Sequence, residues 1–143
     1  FRFQSVLNLR KHYEDDCRTR LYAEETKLSR IKEELATLEK NQKQREKEVE
    51  TLLVGELKTT LLNSGSESLE YIRQRKVETG TRQIAQEEQV DLARTDLIEA
   101  RKESKTMEKL KEQFITREQL KMRAKEQKRI DEVAINLFYR DQR

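Results

Sequence analysis

Leu21, Leu28, Ile31, Leu35 and Leu38 recur at steps of seven, three and four along an otherwise charged stretch; Val49 and Leu52 continue the pattern less regularly, and Phe3, Leu7 and Cys17 precede it. Apolar residues at that spacing line one narrow stripe of a helix, which is the seam of a coiled coil. Downstream, Leu69, Ile72, Val90, Ala93, Leu97, Ala100, Met107 and Phe114 share one seven-residue frame. Between the two runs lies Asn63-Ser64-Gly65-Ser66, a small, polar, glycine-containing cluster, and Ser64 with Glu67 has the spacing of a capping box. The pattern predicts an all-α fold, a long two-helix antiparallel coiled-coil hairpin. It is read as a single coiled-coil domain over 1–143, with a helix over about 2–62, a turn over about 63–66 and a helix over about 67–140.

A turn centred near Ser64 and Gly65 places residue i opposite about 129 minus i. Ile31 then meets the region of Ile98, Leu28 that of Ala100, and Leu21 that of Met107 and Glu108, so apolar meets apolar. Gln42 and Arg45 meet Gln83, Ile84, Gln86 and Glu87, a polar middle that Gly80 weakens further. Phe1 falls opposite about residue 128, leaving 130–143 to run past the first helix with Ile130, Val133, Ala134, Leu137, Phe138 and Tyr139. A projecting helix with such side chains is expected to dock a partner.

Composition narrows the class. With no Pro, three Gly and 41% charged residues, the chain lacks the turn chemistry of a sheet protein. At 34% hydrophobic content it has too little apolar material for a thick core, though enough for a seam. No apolar run approaches the length of a membrane span, so no direct membrane insertion is expected. No signal-peptide pattern opens the chain, and the absence of an initiating Met leaves room for native residues upstream of Phe1. Net charge is +3, with acids and bases interspersed rather than gathered into a basic stripe, so no nucleic-acid partner is expected.

Chemistry-bearing groups are sparse. An active site needs convergent groups in a pocket, which a two-helix seam does not provide, so the chain is read as not an enzyme. His12 has no second histidine or nearby cysteine to complete a metal set, and reads as a surface residue. Cys17, the single cysteine, falls on the seam and reads as a buried thiol in a reducing compartment. There is no phosphate-cradling glycine loop, dinucleotide fingerprint or nucleophile elbow, and neither cofactor nor metal is expected. The run Lys40 to Glu50 reads as a solvated face. Lys121 to Lys125 with Lys128 and Arg129 form a more basic stretch, open to a role with acidic partners, in electrostatic steering or in solubility.

Two terminal motifs go further. Phe1-Arg2-Phe3, Val6-Leu7, Arg10 and Glu14 resemble the opening of the flagellar export FliJ family, and Glu108 to Glu112 followed by Glu126 to Ala134 resemble its C-terminal signature, in the same order and separation. The resemblance implies a cytoplasmic component of the flagellar type III export apparatus, peripheral at the inner face of the inner membrane and similar to the stalk of rotary ATPases. Its partners would be the hexameric export ATPase FliI, the export gate protein FlhA and export chaperones, and the isolated chain would be a monomer. The ATPase-facing residues would be Phe3, Val6, Leu7 and Arg10 with Lys128, Asp131, Glu132 and Val133; the gate-facing ones would be Tyr71 and Ile72. Arg75 and Gly80 depart from the regular apolar spacing expected after them. Two alternatives share the helical pattern: the stalk of a virulence-type secretion system and a generic structural coiled coil.

Overall fold

The computed structural model describes residues 1–54 and 59–142. They form two helices, α1 (Gln4–Val54) and α2 (Thr59–Asp141), with no strand among the described residues. α1 starts where Gln4 N donates to Phe1 O at 3.3 Å and Leu7 N to Phe3 O at 2.9 Å. Packing divides the chain into two units, Phe1–Asp15 with Glu99–Arg143, and Asp16–Ile98. In each unit a segment of α1 lies antiparallel to a segment of α2, and the fold is an all-α helical hairpin.

The shielded positions follow the heptads. On α1 they include Leu7, Glu14, Leu21, Leu28, Leu35, Gln42 and Val49 in one frame and Cys17, Glu24, Ile31, Leu38 and Leu52 in the other. On α2 they run from Leu62 through Leu69, Lys76, Gln83, Val90, Leu97 and Ser104, with Gly65, Ile72, Thr79, Gln86, Ala93, Ala100 and Met107 beside them. Leu7, Cys17, Ile31, Leu69, Ile72, Val90, Ala93, Leu97 and Ala100 are buried. An apolar stripe only two positions wide per heptad can bury no more than this when a single helix covers it.

The register corrects the sequence expectation. Arg20 pairs with Asp96 at 2.9 Å, Arg94 with Glu25 at 3.5 Å, and Glu34 with both Arg75 (2.9 Å) and Arg82 (3.1 Å). In the other unit Arg10 pairs with Glu103, Lys11 with Glu108 at 3.6 Å, and Arg101 with Glu14 at 3.6 Å. In both units residue i lies opposite about 115 minus i, so the pairing is displaced by about 14 residues, two whole heptads, from the apolar-matched register. Asn63, Ser64, Gly65 and Ser66, expected to turn, lie inside α2, and the connection between the helices falls outside the described residues. A two-heptad shift leaves every seam position on the seam, so flanking charges are free to choose between registers.

The consequence is a seam in which polar and apolar cross. The apolar run Leu28 to Leu38 of α1 lies level with Lys76, Thr79, Gly80, Gln83 and Gln86 of α2, so the expected polar middle does not form. Lys76 Nζ donates to Gln42 Oε1 at 2.9 Å, and Gln86 Nε2 donates to the Glu24 carbonyl at 3.0 Å. Thr79 is fully buried and its hydroxyl has no hydrogen-bond partner, whereas Thr26, Thr37, Thr81 and Thr95 each donate to the carbonyl four residues back.

Candidate functional site

The two sequence motifs lie in one unit, so their mutual placement is defined. α1 is closed at its start by an aromatic contact: the Phe1 ring packs against Phe114, centroids 5.6 Å apart, and against Phe3 at 6.0 Å. Phe1 therefore sits level with Phe114, not with residue 128 as the apolar-matched register requires, and the uncovered part of α2 starts about 14 residues earlier than expected. From Glu112 to Gln142 every residue is exposed.

The seam ends there for a reason readable in the residues. Continuing its two frames past Phe114 reaches Glu118, Lys121, Lys125, Lys128 and Glu132, which offer charge where Val90, Leu97 and Ala100 offered apolar surface. Ile135 and Tyr139 return to those frames, but the other apolar residues of this end take another phase. Ile130, Val133, Ala134 and Leu137 follow a helical three-four-three spacing, and at 100° per residue that stripe points well away from the seam side. Ile130, Val133, Leu137, Phe138 and Tyr139 are each at least half exposed, and the Phe138 and Tyr139 rings meet edge to face at 6.1 Å.

Of the first-motif residues, Phe3 and Val6 are exposed, Leu7 is buried at 1%, and Arg10 is held by Glu103. Of the second, Lys128, Asp131, Glu132 and Val133 are all exposed, with Gln127 Nε2 donating to Asp131 at 3.1 Å. The structure does not bring the two sets together: Phe3 to Arg10 lie level with the stretch before Phe114, and Lys128 is 14 residues, roughly 21 Å, beyond it along α2. Tyr71 projects from α2 at 68% exposure, while its neighbour Ile72 is buried in the seam. Sequence reading missed the lysines Lys121, Lys125 and Lys128 as seam-frame positions, although extending the heptad past Phe114 identifies them.

Other groups offer little chemistry. No helix among the described residues is long and apolar enough to cross a membrane, and no cluster of His, Cys, Asp and Glu among them could hold a metal ion. Cys17 is buried with a free thiol. A groove of about 480 Å³ lies open between the helices of one unit and is lined by Lys27, Arg30, Ile31, Arg82, Ala85, Gln86 and Gln89. Such an open furrow is what side chains of unequal length leave along a two-helix seam.

Comparison with known proteins adds the family. No curated protein and no solved structure matches the chain. A family model described as the flagellar FliJ protein matches residues 1–143, which agrees with the two terminal motifs and the helical hairpin. The chain thus belongs to the FliJ family and is a component of the flagellar protein-export apparatus.

Proposed function

We propose that this chain is the stalk and chaperone-escort component of that apparatus: it inserts its terminal ends into the hexameric export ATPase FliI, promotes ring assembly and links the ring to the export gate protein FlhA. The observation that carries the reading is the bare end of α2, exposed from Glu112 to Gln142 with its own apolar stripe. In this reading Phe3, Val6, Arg10, Lys128, Asp131, Glu132 and Val133 face the ATPase, while Leu7 acts from the seam by holding α1 against α2. Tyr71 offers the gate an exposed aromatic, and Ile72 anchors it from beneath. Export chaperones are handed on from the same molecule, which works at the cytoplasmic face of the inner membrane and does not itself hydrolyse ATP.

Coupling needs only differential affinity. A ligand that binds the assembled ring better than separate subunits draws assembly forward by mass action, and an asymmetric helix pair biases the ring's subunits unequally. The test is ATP hydrolysis by the cognate ATPase, titrated with the full chain and with a version ending at Arg129. Stimulation and ring formation by the full chain, lost on truncation, are the expected result; equal stimulation by both versions removes the end of α2 from the contact.

A further inference from the structure

The hairpin carries two competing registers in one sequence. In the observed one, interhelical charges are satisfied: Arg20 on Asp96, Arg94 on Glu25, and Glu34 between Arg75 and Arg82. The apolar layers are matched only in part: Leu7, Cys17 and Leu21 lie level with Met107, Leu97 and Ala93, whereas Ile31, Leu35 and Leu38 lie level with Thr79, Gln83 and Gln86, and the fully buried Thr79 hydroxyl has no partner. Shifting the pairing by about 14 residues exchanges these outcomes over Ile31 to Leu38, while Leu7 moves from the level of Met107 to that of Lys121 and Lys125. Ile31, Leu35 and Leu38 come level with Leu97, Ala93 and Val90, and Gln42 and Arg45 with Gln86 and Gln83, while Glu34 loses its arginines and meets Thr95. Every heptad position keeps its place on the seam, since the shift is two whole repeats.

The chain also holds the means to make the move. A two-heptad shift moves the centre of the pairing one heptad along the chain, to Asn63-Ser64-Gly65-Ser66, which lie inside α2 in the observed register. Those four residues are poor helix formers and favourable turn formers, so keeping them helical costs free energy that turning there recovers. Two packings of one sequence that trade charge pairing against apolar matching can lie close enough in free energy for both to be populated.

We propose that the helices interconvert between the observed register and one shifted by two heptads, the reversal moving to Asn63–Ser66. In the second register Phe1 lies opposite about residue 128, and the uncovered end of α2 is about 14 residues shorter. The shift therefore sets how much of α2 is offered to a partner, through the choice of turn, and it unwinds only the start of α2 as far as Ser66. It is independent of what that partner is.

The test uses the full chain with Cys17→Ala and spin labels on Lys32→Cys and Glu87→Cys, two exposed positions on the same side of the observed pairing. Distances by electron–electron resonance should show two populations, a major short one and a minor longer one, displaced along the axis by roughly 21 Å. The minor population should reach about a tenth of the molecules. Gln83→Leu gives Ile31 and Leu35 an apolar partner in the observed register, and in the shifted one places Leu beside Gln42 and Arg45; it should remove the longer distance. A single population at either distance, or a longer population that Gln83→Leu leaves unchanged, overturns the proposal. A second readout needs no labels: with Cys17→Ala, both Leu35→Cys/Thr79→Cys and Leu35→Cys/Ala93→Cys should form intrachain disulfides. Closure of the first pair alone counts against the shift.

Discussion

Gln86 on α2 donates from its Nε2 to both the backbone carbonyl and the carboxylate of Glu24 on α1, the carbonyl bond being 3.0 Å. A carboxylate that accepts such a bond is held in its charged form, and the Glu24 pKa lies below the ordinary 4.5, chiefly through Gln86; desolvation offsets this in part, and the charges of Lys27 and Arg20 add to it. A lowered folded-state pKa means the group stabilises the fold above its unfolded value and loses that contribution as pH falls through the folded one. Urea unfolding at neutral pH and at successive steps below pH 4.5 should show stability declining over the acid steps, and Glu24→Gln should flatten that part of the profile. An unchanged profile in Glu24→Gln would remove this pair from the pH response.

Gly80 and Gly65 should respond oppositely to alanine. A methyl on Gly80 meets nothing within 4 Å, so Gly80→Ala gains helix propensity at no steric cost, about 1 kcal/mol. Gly65→Ala gains the same propensity but presses on Val49, and should stabilise less or destabilise. Thermal unfolding of the two variants side by side reads the difference.

Thr79→Val should stabilise the hairpin by about 1 kcal/mol, because it keeps the shape of the side chain and removes a buried hydroxyl that makes no hydrogen bond. The check is the denaturant midpoint with an unchanged slope. The same substitution at Thr81, whose hydroxyl donates to the Val77 carbonyl on an exposed surface, should change stability little.

Leu7→Ala should cost about 2 to 3 kcal/mol, since Leu7 is 1% exposed in a seam with no second layer behind it to absorb the loss. Leu137→Ala, on a residue 54% exposed, should stay within about 0.5 kcal/mol in stability. Under the export reading, Leu137→Ala should nevertheless weaken ATPase stimulation. That split between folding and partner effects separates a seam residue from a docking one.

The helices and their seam were legible because they are local properties: Leu7, Cys17, Ile31, Leu69, Ile72, Val90, Ala93, Leu97 and Ala100 are buried as their spacing predicts. The register was not, because a heptad seam looks the same after any whole number of repeats. Asn63-Ser64-Gly65-Ser66 was the most turn-like cluster, yet helical continuation through it lets Glu34 reach both Arg75 and Arg82 and brings Arg20 to Asp96. Flanking ion pairs of this kind are individually small, but several acting on one rigid register select it together. The uncovered end of α2 was expected from the sequence, with its start misplaced by the same slip. Lys121, Lys125 and Lys128, which end the seam, went unremarked as such because they were read as a charge cluster and not as heptad positions.

Cys17 is the single cysteine of the chain and lies buried against the partner helix. A thiol reagent can reach it only when the helices part at that point, so the rate at which an aromatic disulfide colours is set by how often they do. The unmodified protein thus carries its own chemical clock, and a partner that clamps the two helices together will announce itself by slowing it.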